Sequence, residues 1–224
     1  MRIDVETTAM PLTADVERHQ SAARSATQIF IHGRDHITNI QIKSAGIEDA
    51  PIVALLGRLA FSETFGHLFT RHTGDLAGYL ADTFGLAKIR GSLGQSENQY
   101  WLALADGLPI GYAKLKYPSE MPQLPKPKVA QLQKIYVLRD FLGQGVGSPL
   151  LQAACDCAAA LEVDTVWLTV LAENKRAIRF YQRHGFAVLT QTTFSIGAQT
   201  FDFDVLRKDI GIMSLSGVHG AVSR

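Results

Sequence analysis

Cysteine is nearly missing from this chain, with two among 224 residues, Cys155 and Cys157. One C-x-C pair cannot build a disulfide framework, and at that spacing on a helix the thiols point to different faces, so neither a disulfide nor a metal site is expected. An excess of one charge is lacking too. Lys and Arg number 22 against 21 Asp and Glu, a net charge of +1, which leaves no electrostatic footprint for nucleic acid. No apolar run approaches the ~18–20 residues that span a bilayer. No basic start followed by an apolar core marks a secretory signal, and Asp4, Glu6, Asp15 and Glu17 argue against a transit peptide. The expectation is a cytoplasmic protein with no membrane and no nucleic-acid partner.

A hydrophobic share of 46% with 19% charged residues is that of a globular domain, and the length suits one such domain plus tails. Residues 1–37 lack periodicity and are rich in Thr, Ala, Ser and Gln, which reads as an extension, loose or packed on a neighbouring subunit of a homodimer. The domain is expected over 38–210, with a tail over 211–224. Ile40 and Ile42 alternate with Gln41 and Lys43 as a strand. Glu48, Asp49 and Pro51 open a helix that carries Ile52, Leu55, Leu56, Leu59 and Phe61. A polar loop from His67 to Gly74 leads to a second helix bearing Leu76, Tyr79, Leu80 and Phe84. Tyr100–Ala105 and Pro109–Tyr117 read as a hairpin across Asp106-Gly107. Pro118 to Lys128 holds four of the eight prolines and reads as a loop, either a wall of a binding site or a solvated connection.

The stretch from Val129 to Leu161 organises the chain. Val129 to Leu138 (VAQLQKIYVL) is β-branched and apolar enough for a buried strand. Gly143, Gly145 and Gly147 then alternate with Gln144 and Val146, and from Ser148 the positions Leu150, Leu151, Ala154, Ala158 and Leu161 share a helical face. A strand, a glycine loop and a helix start allow backbone N–H groups to converge on an anion. The phosphate loop of nucleotide hydrolases needs Lys and Ser/Thr after the last glycine, but Ser148-Pro149 stand here. The dinucleotide fingerprint needs G-x-G-x-x-G and an acidic residue after the next strand, but the spacing is G-x-G-x-G. A glycine turn that only packs a helix on a sheet remains open on this stretch alone.

The second half of the pattern is Glu173-Asn174-Lys175-Arg176-Ala177-Ile178-Arg179-Phe180-Tyr181-Gln182-Arg183-His184-Gly185-Phe186. Together, LQKIYV, LGQGVGSPLL and ENKRAIRFYQRHGF resemble the acetyl-CoA motifs of the GNAT superfamily of N-acetyltransferases, over about residues 38 to 207. FSETF near residue 61 and the FYQRHGF tail are most similar to the bacterial PaiA-type polyamine acetyltransferases. The resemblance implies an α/β (α+β) GNAT fold, a central mixed, mostly antiparallel twisted sheet of about seven strands with helices on both faces. It also implies acetyl-CoA as cosubstrate and a primary-amine acceptor, a small amine or polyamine favoured.

The resemblance also assigns roles to individual residues. The backbone of Ile135, Tyr136 and Val137 would hold the pantetheine arm as an added strand would. The amides of Gln144, Gly145, Val146, Gly147 and Ser148 would cradle the pyrophosphate. Asn174, a preferred N-cap residue, would also bond the cofactor. Tyr181, which also fits the helix's apolar face, would protonate the departing thiolate. Leu142 departs from the pattern, standing where the family usually has Arg or Gln.

The general base is harder to find. A primary alkylamine of pKa ~10.4 must give up about 4.6 kcal/mol of protonation at pH 7. Many relatives handle that proton with a Glu on the central strand, but here Gln131 and Gln133 stand at those positions. Glu63, His67 and His72 are the substitutes, Glu63 foremost. The reading is direct acetyl transfer to a primary amine in a ternary complex. A peptide or protein N-acetyltransferase and a non-catalytic acetyl-CoA-binding regulatory module are the alternatives.

Overall fold

The computed structural model describes residues 39–69, 73–121, 123–124 and 128–210. The N-terminal extension, the C-terminal tail and His72 lie outside the described residues. Strand β1 (Ile40–Ser44) follows the Ile/Gln/Ile/Lys alternation. A 3-10 turn over Ile47–Asp49 enters α1 (Ala50–Phe65), with Pro51 in its first turn. Asp49 fixes that entry, accepting from the Gly46 amide at 3.0 Å and the Lys43 ammonium at 3.1 Å. Beyond α1 the expected polar loop is a second 3-10 segment, Gly66–Phe69. It buries Phe69 against Phe201. Two helices come next, α2 (Thr73–Phe84) and α3 (Leu86–Leu93). The second is a departure from the sequence expectation: its eight residues contain Gly91 and bury only Ile89, so the sequence shows little helical period.

Strands β2 (Asn98–Ala105) and β3 (Leu108–Lys116) turn at Asp106 and Gly107, with φ of 48° and 86°. Two successive positive φ angles are what a two-residue hairpin turn requires. β4 (Val129–Val137), α4 (Gly147–Ala160), β5 (Thr165–Leu171), α5 (Lys175–Arg183), β6 (Ala187–Ile196) and β7 (Gln199–Asp209) complete the chain. The sheet runs β1-β2-β3-β4-β5-β7-β6. Every neighbouring pair is antiparallel except β4 with β5, which is the mixed, mostly antiparallel sheet the resemblance implied.

Both faces of the sheet are covered. Tyr100, Leu102 and Tyr112 pack with Val53 and Leu56 of α1 and Ile89 of α3. Trp101 and Ala103 are buried as well, and alternate strand residues point to opposite faces; α4, which packs across β1 to β4, covers the second face. Described parts of the proline-rich loop pack on the interior strands β4, β5 and β7, and the Ser119 hydroxyl reaches Gln131 Oε1 at 3.4 Å. Leu124 joins Val129, Trp167 and Val205, and the Ser119 carbonyl accepts from the Trp167 indole at 2.9 Å.

Contrary to the sequence expectation, the helical stretch Ile47–Phe69 is long and apolar enough to cross a bilayer by length and composition. Its inner side (Val53, Leu56, Ala60, Phe61) is buried, whereas Ile52, Leu55 and Leu59 are exposed. It serves here as the main core helix of one sheet face.

Candidate active site

The site begins with a break in the sheet. β4 and β5 pair only through Val129, Ala130 and Gln131 against Thr165, Val166 and Trp167. Beyond Gln131 the two strands separate, so Leu132 to Val137 keep β3 on one side and no strand on the other. Backbone groups on an open strand edge seek a partner. The gap opens into a cavity of about 1130 Å³ that reaches from the glycine loop to α2 and the β6–β7 hairpin.

At one end lies the glycine loop. Gly143 and Gly145 take φ of 86° and 84°, a region L side chains rarely adopt. No side chain caps α4 at Val146, so the first amides of the helix are left without an intrahelical partner. A Cβ on Gly147 would stand 3.2 Å from the Phe180 ring, so a side chain there would separate α4 from α5. Two arginines of α5, Arg176 and Arg183, line the cavity. The Arg176 guanidinium lies over Gly143, 3.2 Å from where a Cβ would be. A cation thus lies beside the loop, where the Leu142 side chain brings none. His184, at the end of α5, has Nδ1 2.8 Å from the Phe180 carbonyl and Nε2 3.0 Å from Ser148 Oγ. Since a carbonyl only accepts, Nδ1 carries the proton, and in the neutral ring Nε2 accepts from the Ser148 hydroxyl.

Tyr181 sits deeper, buried between Phe180 and Phe186 with ring centroids at 5.2 and 5.7 Å. Burial holds its phenol well above the usual tyrosine range, so it stays protonated and can donate. Asn174 begins α5, its Oδ1 accepting from the Ala177 amide at 3.1 Å.

The other end is an aromatic chamber. Phe61, Tyr79, Phe84, Tyr112 and Tyr136 meet ring to ring, and Lys88, Lys114 and Lys134 stand among them on the cavity wall. The β6–β7 hairpin closes this end with Thr192, Thr193, Phe194, Ile196, Phe201 and Phe203. Asp75 of α2 holds the hairpin turn by accepting from the Ala198 amide at 3.0 Å.

The model of the acetyltransferase (GNAT) family matches residues 60–186. This chain belongs to the GNAT acetyltransferase family. The GNAT protein is therefore an acetyl-CoA-dependent N-acetyltransferase, and acetyl-CoA is its cosubstrate. It is 24% identical over 161 residues to an uncharacterized N-acetyltransferase of Lactobacillus delbrueckii subsp. lactis, covering 72% of this chain and 92% of that one. An uncharacterized N-acetyltransferase of Methanocaldococcus jannaschii is 33% identical over 92 residues, 41% of this chain and 40% of its own. Among solved structures, a PaiA N-acetyltransferase from Thermoplasma acidophilum in complex with coenzyme A superposes with a TM-score of 0.62 at 20% identity, over 77% of this chain and 99% of that one. A ribosomal-protein alanine N-acetyltransferase from Escherichia coli gives 0.54, also at 20% identity, over 82% and 100%.

Most of the residues expected to bind acetyl-CoA meet on this one cavity of the GNAT protein: Ile135, Tyr136, Val137, Gly145, Val146, Gly147, Ser148, Asn174 and Tyr181 all line it. Gln144 does not. Its amide donates to the Phe141 carbonyl at 3.4 Å and its side chain to the Asp140 carbonyl at 2.7 Å. Glu63 does not line it either. Its carboxylate accepts from the Arg139 amide at 2.8 Å, and its carbonyl accepts from the Arg139 guanidinium, so it ties α1 to the end of β4. His67 is likewise off the lining. Gln131 and Gln133 do line it and bond each other at 3.0 Å. Sequence reasoning misses Arg176, Lys114 and Lys134. Arg176 lies in view within the family motif, while the two lysines come together only through strand register.

Proposed function

We propose that the GNAT protein transfers an acetyl group directly from acetyl-CoA to the primary amine of a small acceptor, both held at once in the one cavity. The observation that carries this reading is the continuity of that cavity. It joins the glycine loop, the open β4 edge, Tyr181 and the aromatic chamber without interruption. Bound acetyl-CoA supplies an activated thioester carbonyl. The chain's own part is threefold. The uncapped α4 amides with Arg176 and Arg183 offer an anion site for the phosphates. The unpaired edge from Leu132 to Val137 offers backbone partners to an extended arm. Tyr181 keeps a proton to give to a departing thiolate.

Neither Cys155 nor Cys157 lines the cavity, so no thiol is in position to carry the acetyl group between two half-reactions. A polyamine acceptor of the PaiA kind draws support from the Thermoplasma neighbour but not from the charges. Among the described residues the cavity lining carries Lys88, Lys114, Lys134, Arg176 and Arg183 against Asp82 alone, a poor setting for a polycation. Initial rates measured over a grid of acetyl-CoA and amine concentrations test the direct route. Intersecting reciprocal plots are expected, and parallel plots would replace it with a covalent intermediate.

A further inference from the structure

Lys114 of β3 and Lys134 of β4 are cross-strand partners, and like charges set opposite each other on a sheet are unfavourable. Both are half-buried on the cavity wall. The Lys134 ammonium stands 5.5 Å from the Phe84 ring centroid and 5.8 Å from that of Tyr136, and the Lys114 ammonium 5.4 Å from that of Tyr100. Ring faces attract a cation but do not neutralise it. Neither lysine forms an ion pair among the described residues. The charged groups that act on Lys114 are Lys134, Lys116 and Lys88, with no carboxylate among them. Burial lowers both ammonium groups to a pKa of about 8, and for Lys114 the neighbouring lysines add to the effect. Among the described residues Asp82 of α2 is the one carboxylate on the lining, and it pairs with neither.

Hydroxyl groups complete the pattern. Tyr100 Oη is engaged with Ser92 Oγ at 2.8 Å. Tyr112 Oη is fully buried on the cavity lining with no hydrogen-bond partner among the described residues. An orphaned buried hydroxyl and two unpaired ammonium groups, set on one face of the β3–β4 pair and lining one cavity, are costly unless something answers all three. A cation raises that cost, a neutral group leaves it, and an oxyanion removes it.

We infer that the acceptor carries an oxyanion, carboxylate or phosphate, beside its reactive amine, and that Lys114, Lys134 and the Tyr112 hydroxyl hold it. This rests on the acetyl-transfer reading proposed above. The acetyl-CoA phosphates do not need these lysines, because Arg176 beside Gly143 and the uncapped α4 amides are available to them at the other end of the cavity. The acceptor is then an amino acid or an amino phosphate rather than a diamine, and the amine is oriented by its anionic end.

The test is a calorimetric titration of the full-length protein, with coenzyme A bound, against four amines of matched length: butylamine, putrescine, γ-aminobutyrate and an aminoalkyl phosphonate. Thiol release from acetyl-CoA is followed separately with each. The anionic amines are expected to bind at least about tenfold more tightly than butylamine, and putrescine least. Whichever anionic amine binds better separates carboxylate from phosphate recognition. Lys114→Met and Lys134→Met should each remove most of that preference, Tyr112→Phe a smaller part, and Lys134→Glu should turn it toward putrescine. Coenzyme A binding in the same titrations reports that each variant is folded. In the wild type the preference should fade above about pH 8 as the lysines lose their protons. Tightest binding of putrescine, equal binding of all four amines, binding of none, or a preference that survives both lysine substitutions overturns the inference. Binding with the expected preference but no thiol release from any amine counts against the catalytic reading and leaves the anion site standing.

Discussion

Replacing Tyr181 with phenylalanine lowers kcat by about 10²-fold or more, the range a positioned general acid contributes. The ring is retained, so its packing on Phe180 and Phe186 and the fit of α5 are kept. KM for acetyl-CoA should change little, because what is removed is an interaction made only as the thiolate departs. Burial supplies a second signature. The phenol is held above its ordinary value of 10.0, so Tyr181 remains a donor throughout the neutral and mildly alkaline range. With acceptor saturating, the wild-type kcat should therefore show no decline assignable to Tyr181 below about pH 10. A phenylalanine variant with full kcat would remove Tyr181 from the chemistry and leave it as a core aromatic.

A valine at Gly145 should raise the Kd for coenzyme A about 10- to 100-fold, from the ~1–3 kcal/mol that a side chain costs in this backbone region. Space is not the obstacle: a Cβ at Gly145 would meet nothing within 4 Å. The obstacle is the φ of 84°, which a β-branched residue resists. The loop would relax toward negative φ and turn its amides away from the phosphates. Gly91 gives the contrast, lying in α3 on the exposed side with nothing near a would-be Cβ. Gly91→Ala favours the helix by about 0.5–1 kcal/mol and should leave coenzyme A affinity unchanged. Equal affinity in Gly145→Val and the wild type would mean that this loop does not hold the phosphates.

The cofactor half of this protein is legible in the sequence because its signals are local. VAQLQKIYV is β-branched enough to be a central strand, three glycines follow within five residues, and Asn174 heads a helix whose apolar face repeats at Ile178 and Tyr181. Strand, loop and helix ends each carry their own chemistry over a few residues. The proposed acceptor half is not legible, because it is made by pairing. Lys114 and Lys134 become neighbours through the β3–β4 register, which no local pattern fixes. The splay of β4 from β5 is visible only as the absence of pairs beyond Gln131 and Trp167. The hairpin wall depends on Asp75 reaching the turn at Ala198, from a helix far away in the chain. Glu63 illustrates the converse. A carboxylate in the right region of sequence has the chemistry of a base, yet its oxygen is already taken by the Arg139 amide. The short helix α3 escapes notice for a simpler reason, since a single buried residue leaves no period to read.

We propose that this chain moves acetyl groups from acetyl-CoA to a primary amine in one cavity. The most direct measurement is free-thiol release from acetyl-CoA, with and without a panel of cationic, neutral and anionic primary amines, alongside the mass of each amine afterwards. We expect amine-dependent thiol release matched by one added acetyl group on the amine, greatest for an anionic member. Tight acetyl-CoA binding with no amine acetylated, or no binding of acetyl-CoA at all, would contradict it.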